Sequence, residues 1–254
     1  MITIRQHTIR QRTITLAAAV LTLTALSACD EASGSGSTTG TGPTSPTSPT
    51  SSSTPTSEVT PVNTGVTIEE LADDMRTAEE VVDAFWATHW SEHFTGVYRP
   101  PAVVGLYDGN DTSTAPSCGD ELLGPGNAFY CPAEDFVAWD AGLMLRGAEL
   151  GDAWVYLVIA HEWGHAIQAR LSPELQAAAS EPQADCLAGA ALYGAEADGR
   201  LTMEEGDEKE IVASLSALAD ELAWTTTADH GDAFERIDSF DAGRIGGVTA
   251  CLPE

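Results

Sequence analysis

Two histidines and a glutamate stand in the run His161-Glu162-Trp163-Gly164-His165. On a helix, positions i and i+4 lie about 40° apart at roughly 100° per residue, so both imidazoles reach one point in space. Imidazole is a zinc ligand, and Glu162 sits beside the pair where it can take a proton from a metal-activated water. The preceding stretch, Trp154-Val-Tyr-Leu-Val-Ile-Ala160, is apolar on every side. Burying two histidines and a carboxylate behind it costs several kcal/mol unless they are paired or ligate metal.

A catalytic zinc takes three protein ligands and keeps a fourth position for water. Glu181 and Asp185, again at i and i+4, supply a third ligand and a carboxylate for the free N–H of a ligand histidine. A third-histidine pattern is absent, because Gln168 and Leu171 occupy its glycine and histidine positions. The set expected here is therefore His161, His165 and Glu181 around one zinc ion per chain, with Asp185 behind them. Pro182 biases Glu181 away from helical angles. An inverted motif, His89-Trp-Ser-Glu92-His93, lies on an aromatic stripe of Phe85, Trp86, Trp90 and Phe94. That stripe already accounts for a core-facing helix. His230, before Gly231, is a candidate oxyanion donor, with Tyr130 and Tyr193 as weaker ones. Trp139 reads as core or cleft lining.

Elements must hold these residues in place. Thr67 and Glu70 form a capping box for a helix to about residue 93. The pair Tyr98-Arg-Pro-Pro101 breaks the chain before a strand at 102–107, and 108–126 is loop-rich. Strands follow at 128–131 and 136–139. Helices are expected at 153–171, from 181 through 192, at 211–222 and at 233–240. The fold class is α+β, predominantly helical, with a small sheet.

The 254 residues carry 11 Lys+Arg against 39 Asp+Glu, a formal net charge of −28. Such a balance excludes a generic nucleic-acid binder, which needs surplus cations to neutralise phosphate. Residues 1–28 hold Arg5, Arg10 and Arg12 and then an apolar run, 14–26, as in a secretory signal. The run ends Leu26-Ser27-Ala28-Cys29, which resembles the lipoprotein box, where the cysteine is lipidated and anchors the chain to the bacterial cell membrane outside the cytoplasm. Ser, Thr, Gly and Pro then dominate to about residue 61, too polar to bury surface against chain entropy. Residues 29–65 read as the lipidated cysteine and a disordered tether, and 66–254 as the folded domain. Four cysteines remain, Cys118, Cys131, Cys186 and Cys251, an even number for an oxidising compartment. They allow three pairings; Cys118 with Cys131 and Cys186 with Cys251 make one of them. A four-cysteine zinc site lacks any C-x-x-C pair.

In order along the chain stand Phe85-Trp86, Tyr98-Arg-Pro-Pro101, Ser117-Cys-Gly119, Asn127-Ala-Phe-Tyr-Cys-Pro132, Ala160 through His165 with Gln168, and Gln183-Ala-Asp-Cys186 with Ala188-Gly189. His230-Gly231, Glu235-Arg236 and Phe240 follow. From about Phe85 onward the chain resembles the neutral zinc metallopeptidase family. The resemblance implies a zincin-like fold, zinc on His161 and His165, catalysis by Glu162, and the ligand and supporting pair of a glutamate zincin at Glu181 and Asp185. The expected partner is a peptide or protein substrate, with a cell-wall amide open to the same chemistry. The rival expectation is a noncatalytic, zinc-stabilised envelope lipoprotein that binds a partner.

Overall fold

Thr67 begins the ordered helical region as the sequence predicts: its hydroxyl accepts the Glu70 N–H at 3.1 Å, and the Glu70 carboxylate accepts the Thr67 N–H at 3.0 Å. In this computed structural model, residues 7–8, 65–220 and 230–253 are described, all in one unit. Cys29, the tether and the apolar leader lie outside the described residues. From the leader only β1 (His7–Thr8) is described; it pairs in parallel with β7 (Leu201–Thr202).

Helix α1 (Ile68–His93) buries Leu71, Met75, Ala78 and Val82 together with Phe85, Trp86 and Trp90 of the expected aromatic stripe, while Ile68 at its start is exposed. The chain then enters β2 (Ala102–Tyr107). Within the segment read as loop it forms a short antiparallel pair, β3 (Ser117–Cys118) and β4 (Glu121–Leu122). Strands β5 (Ala128–Cys131) and β6 (Phe136–Asp140) complete a three-stranded sheet in the order β2-β6-β5. β2 runs parallel and β5 antiparallel to β6. β6 is buried along its whole length, as a central strand must be, which leaves β5 an edge.

Asp140 ends β6 and caps α2 (Ala141–Gly147), accepting the Leu143 N–H at 2.9 Å. The sequence reading missed this helix; at two turns it is too short to show a period. Helix α3 (Ala153–Gln168) has every residue buried except His165, which is partly so. It stops short of the expected residue 171, because the backbone tightens there: Arg170 N–H bonds back to Ile167 and Leu171 N–H to Gln168. Helix α4 (Ser180–Ala197) follows a 3₁₀ turn at Pro173–Leu175. Helix α5 (Asp207–Ala217) starts and ends earlier than the expected 211–222, and α6 (Ala233–Ala250) runs ten residues past the expected 240.

Two close helix crossings set the interior. A Cβ on Gly164 of α3 would lie 2.8 Å from the Ala184 carbonyl oxygen of α4. A Cβ on Gly243 of α6 would overlap the Cys186 carbonyl of α4. The cysteines pair as Cys118–Cys131 and Cys186–Cys251, each with Cα atoms 5.5 Å apart. The second bond holds the end of α6 on α4. The domain is thus a predominantly helical α+β fold with a small mixed sheet. Among the described residues, no helix is long and apolar enough to cross a membrane.

Candidate metal centre

The motif falls in the second half of α3, so its two imidazoles leave one face of a buried helix a single turn apart. Their ring centroids are 4.8 Å apart and the Nε2 atoms 3.2 Å apart. The close approach at Gly164 brings the first turn of α4 against this face. Glu181 Oε2 then lies 3.1 Å from His161 Nε2, and its Oε1 lies 3.3 Å from His165 Nε2. Tetrahedral bonds of about 2.0–2.1 Å put ligand atoms roughly 3.3 Å apart. The spacing of these three groups fits a zinc ion.

Both outward nitrogens have acceptors. His161 Nδ1 is 2.8 Å from Asp185 Oδ1, and His165 Nδ1 is 2.8 Å from Gln168 Oε1. With protons held at Nδ1, each Nε2 is the nitrogen that faces Glu181 and that a metal would take on displacing any proton there. Pro182 does not spoil the geometry. The helix starts at Ser180, so Glu181 and Pro182 stand in its first turn, where a missing N–H costs nothing. The bias against helical angles at Glu181 is overridden by the docking of α4 on α3.

Charge at the centre favours a cation. Burial pulls the His161 imidazole down, but Asp185 and Glu181 outweigh it and push its pKa up to about 10. His165 is raised too, with Glu181 overcoming burial and the neighbouring His161. Burial would raise Glu181, yet the two imidazoles hold its carboxyl well below the usual range. Asp185, wholly buried, is likewise held low against burial by His161 and Arg236.

Arg236 is the residue the sequence reading did not single out. From α6 it crosses to Asp185, with Nε and one terminal nitrogen each donating at 2.8 Å, and its other terminal nitrogen donates to the Leu218 carbonyl at 2.9 Å. It is 2% exposed, deep enough that its charge must be paired. Gln168 was likewise passed over as a ligand support; it also donates to the Ser180 carbonyl at 2.6 Å, tying the His165 support to the start of α4. The sequence signal for both was their place among the motifs matched, with no spacing rule to assign a role.

These groups open on a cleft of about 740 Å³ lined by Glu162, His230, Tyr130 and Asn127, with Leu218 on the α5 side. Glu162 is 7% exposed in its wall. The half-exposed His230 is held through its backbone N–H, which donates to Asp220 Oδ2 at 2.8 Å. Tyr130 donates its hydroxyl to Asp135 at 3.0 Å. Tyr193 does not line this cleft; its ring meets Phe240 edge to face, with Arg244 over it, beside a separate small pocket. Trp139 is fully buried core.

A sequence profile described as "Putative neutral zinc metallopeptidase" matches residues 17–244. The chain belongs to this family. Zinc is the metal the family implies, and the His161, His165, Glu181 cluster is a candidate place for it. No curated protein and no solved structure matches the chain. Measured against this zinc family, the inverted motif is spent elsewhere. His89 binds Glu92 at 3.0 Å and Asp198 at 2.9 Å, clasping α1 to the end of α4, and those bonds raise its pKa despite burial.

Proposed function

We propose that the protein is an extracytoplasmic, lipid-anchored peptidase of the glutamate-zincin type, with His161, His165 and Glu181 as the zinc ligands. The observation that supports this most is the convergence of those three groups at zinc spacing, with Glu162 in the wall of the same open cleft. A purely structural zinc is normally closed by four protein ligands and has no use for a general base.

The chemistry a bound zinc supplies is Lewis acidity toward water and the scissile carbonyl. Glu162 takes the proton of the attacking water at its carboxylate and delivers it to the leaving amine. Asp185 orients His161, and Gln168 orients His165, each through Nδ1. His230 donates to the oxyanion from the cleft wall. The edge strand β5 lines the cleft through Ala128, Phe129 and Tyr130, so an extended peptide can add to it as a further strand.

The test is cleavage of a peptide library by the zinc-loaded protein beside Glu162→Gln. Cleavage lost by about 10²–10⁴-fold, with zinc retained, supports the peptidase. Equal behaviour of the two proteins sinks it and favours the partner-binding lipoprotein.

A further inference from the structure

A second group of acids lies where the start of α3 meets the start of α5. Asp152 stands at the N-cap position of α3, and Asp207 and Glu210 in the first turn of α5. One oxygen from each lies within 4.8 Å of the others. Asp207 is 0% exposed. Its Oδ2 accepts the Glu204 N–H at 2.6 Å, while its Oδ1 is buried with no hydrogen-bond partner. Glu210 makes only a long contact, accepting the Ala153 N–H at 3.5 Å. Among the described residues, neither Asp207 nor Glu210 forms an ion pair with a cation.

A buried carboxylate with an orphaned oxygen is costly, and a second carboxylate, Glu210, close beside it adds to the cost. Both carboxyls are shifted toward the neutral form. Burial, with Glu204 and Glu196 adding to it, raises Asp207 despite its backbone hydrogen bond; burial and then Asp207 raise Glu210 against the same kind of relief. A divalent cation removes the conflict by giving the orphaned oxygen of Asp207 a partner and by offsetting the charges of Asp207 and Glu210. The donors are all oxygen, which selects a hard cation over zinc. Calcium suits them better than magnesium, because it accepts several carboxylates in irregular geometry, whereas magnesium keeps most of its waters.

We propose that Asp152, Asp207 and Glu210 form a calcium site that clamps the first turn of α3 to the first turn of α5. The clamp lies nine residues before His161 on the same helix, about 13 Å along its axis. It would brace the helix that carries the motif. It would also brace α5, whose far end leads to Leu218, the carbonyl that receives Arg236.

Calcium uptake by the full, zinc-loaded chain is measured by equilibrium dialysis and elemental analysis at about 1 mM free calcium, where extracellular calcium modules fill. The expected result is about one calcium per chain above the uptake of Asp207→Asn. Calcium also raises the unfolding temperature by about 2–4 °C, and magnesium at the same concentration does not. Asp207→Asn loses uptake and shift, yet unfolds without calcium at a temperature no lower than the unsubstituted protein, since a neutral amide relieves the repulsion. If that variant fails to fold, Glu210→Gln is read in the same way for uptake and shift. Uptake equal in variant and unsubstituted protein, or an unfolding temperature indifferent to calcium, overturns the site. Neither readout involves peptide hydrolysis, so the outcome stands apart from the peptidase reading.

Discussion

His161 is the residue on which the chemistry and the electrostatics of the centre meet. Its imidazole faces Glu181 with one nitrogen and Asp185 with the other, and these acids raise its pKa to about 10 against the pull of burial. The sign follows directly. Below that value the metal-free site holds a proton that zinc must displace, so zinc affinity rises with pH toward 10 and weakens as pH falls. A competition titration with a chromophoric chelator between pH 6 and 8 is expected to show about a tenfold change in affinity per pH unit for each proton displaced. A flat profile would mean that His161 is already neutral. Arg236 offers a second check at this scale. Removing it with Arg236→Gln leaves Asp185 buried with only the His161 imidazole to offset its charge, a loss of up to about 3–5 kcal/mol in denaturant unfolding. Arg236→Lys is expected to recover part of this, because one ammonium cannot reproduce the paired bonds to Asp185.

Helix α4 is the element that adds Glu181 to the two-histidine motif and so completes the candidate three-residue cluster. It delivers Glu181, Asp185 and Gln183 to the face of α3, and it can do so only because Gly164 has no side chain where Ala184 passes. Gly164→Ala puts a methyl 2.8 Å from the Ala184 carbonyl, so the helices must part by some tenths of an ångström or more. The expected cost is about 1–3 kcal/mol of stability. Weaker zinc binding should accompany it, because Glu181 moves with α4. Zinc affinity unchanged in a destabilised Gly164→Ala protein would show that the ligand set does not depend on this crossing. The same element explains why Pro182 is tolerated: in a first helical turn it has no hydrogen bond to lose.

Across the whole molecule the dominant fact is charge. A net −28 surrounds a cleft whose own walls carry Glu162 and Glu181. That field repels acidic peptides and draws basic ones, an effect that salt screens within about 8–10 Å. The ratio of kcat/KM for basic over acidic peptides is therefore expected to exceed one at low salt and to fall as salt rises. Equal cleavage of both sets at low salt would sink the idea. The proposed anchoring is a property of the whole chain as well. Cys29→Ser is expected to release the protein from the membrane fraction and abolish incorporation of labelled fatty acid; retention of label would place the lipid elsewhere.

Sequence by itself determined the parts of this protein that depend on short-range order. The Thr67 capping box, the α1 stripe, the strands at residues 102–107 and 128–131, and the pairing of His161 with His165 on one helix face all follow from periodicity or from caps a few residues apart. The strong apolar run before His161 marked α3 as buried for the same reason. Tertiary structure alone decided the rest. Arg236 lies 51 residues from Asp185 and 75 from His161, and no local pattern connects them. Gly164 looked like an ordinary helix glycine, and Gly243 lay beyond the expected end of its helix, until the neighbouring backbones were in place. Tyr193 and Tyr130 were equal as candidate donors in sequence, yet only Tyr130 lines the cleft. Propensity acts over a turn or two, whereas the distances that make a metal centre are set by which helices cross and how closely.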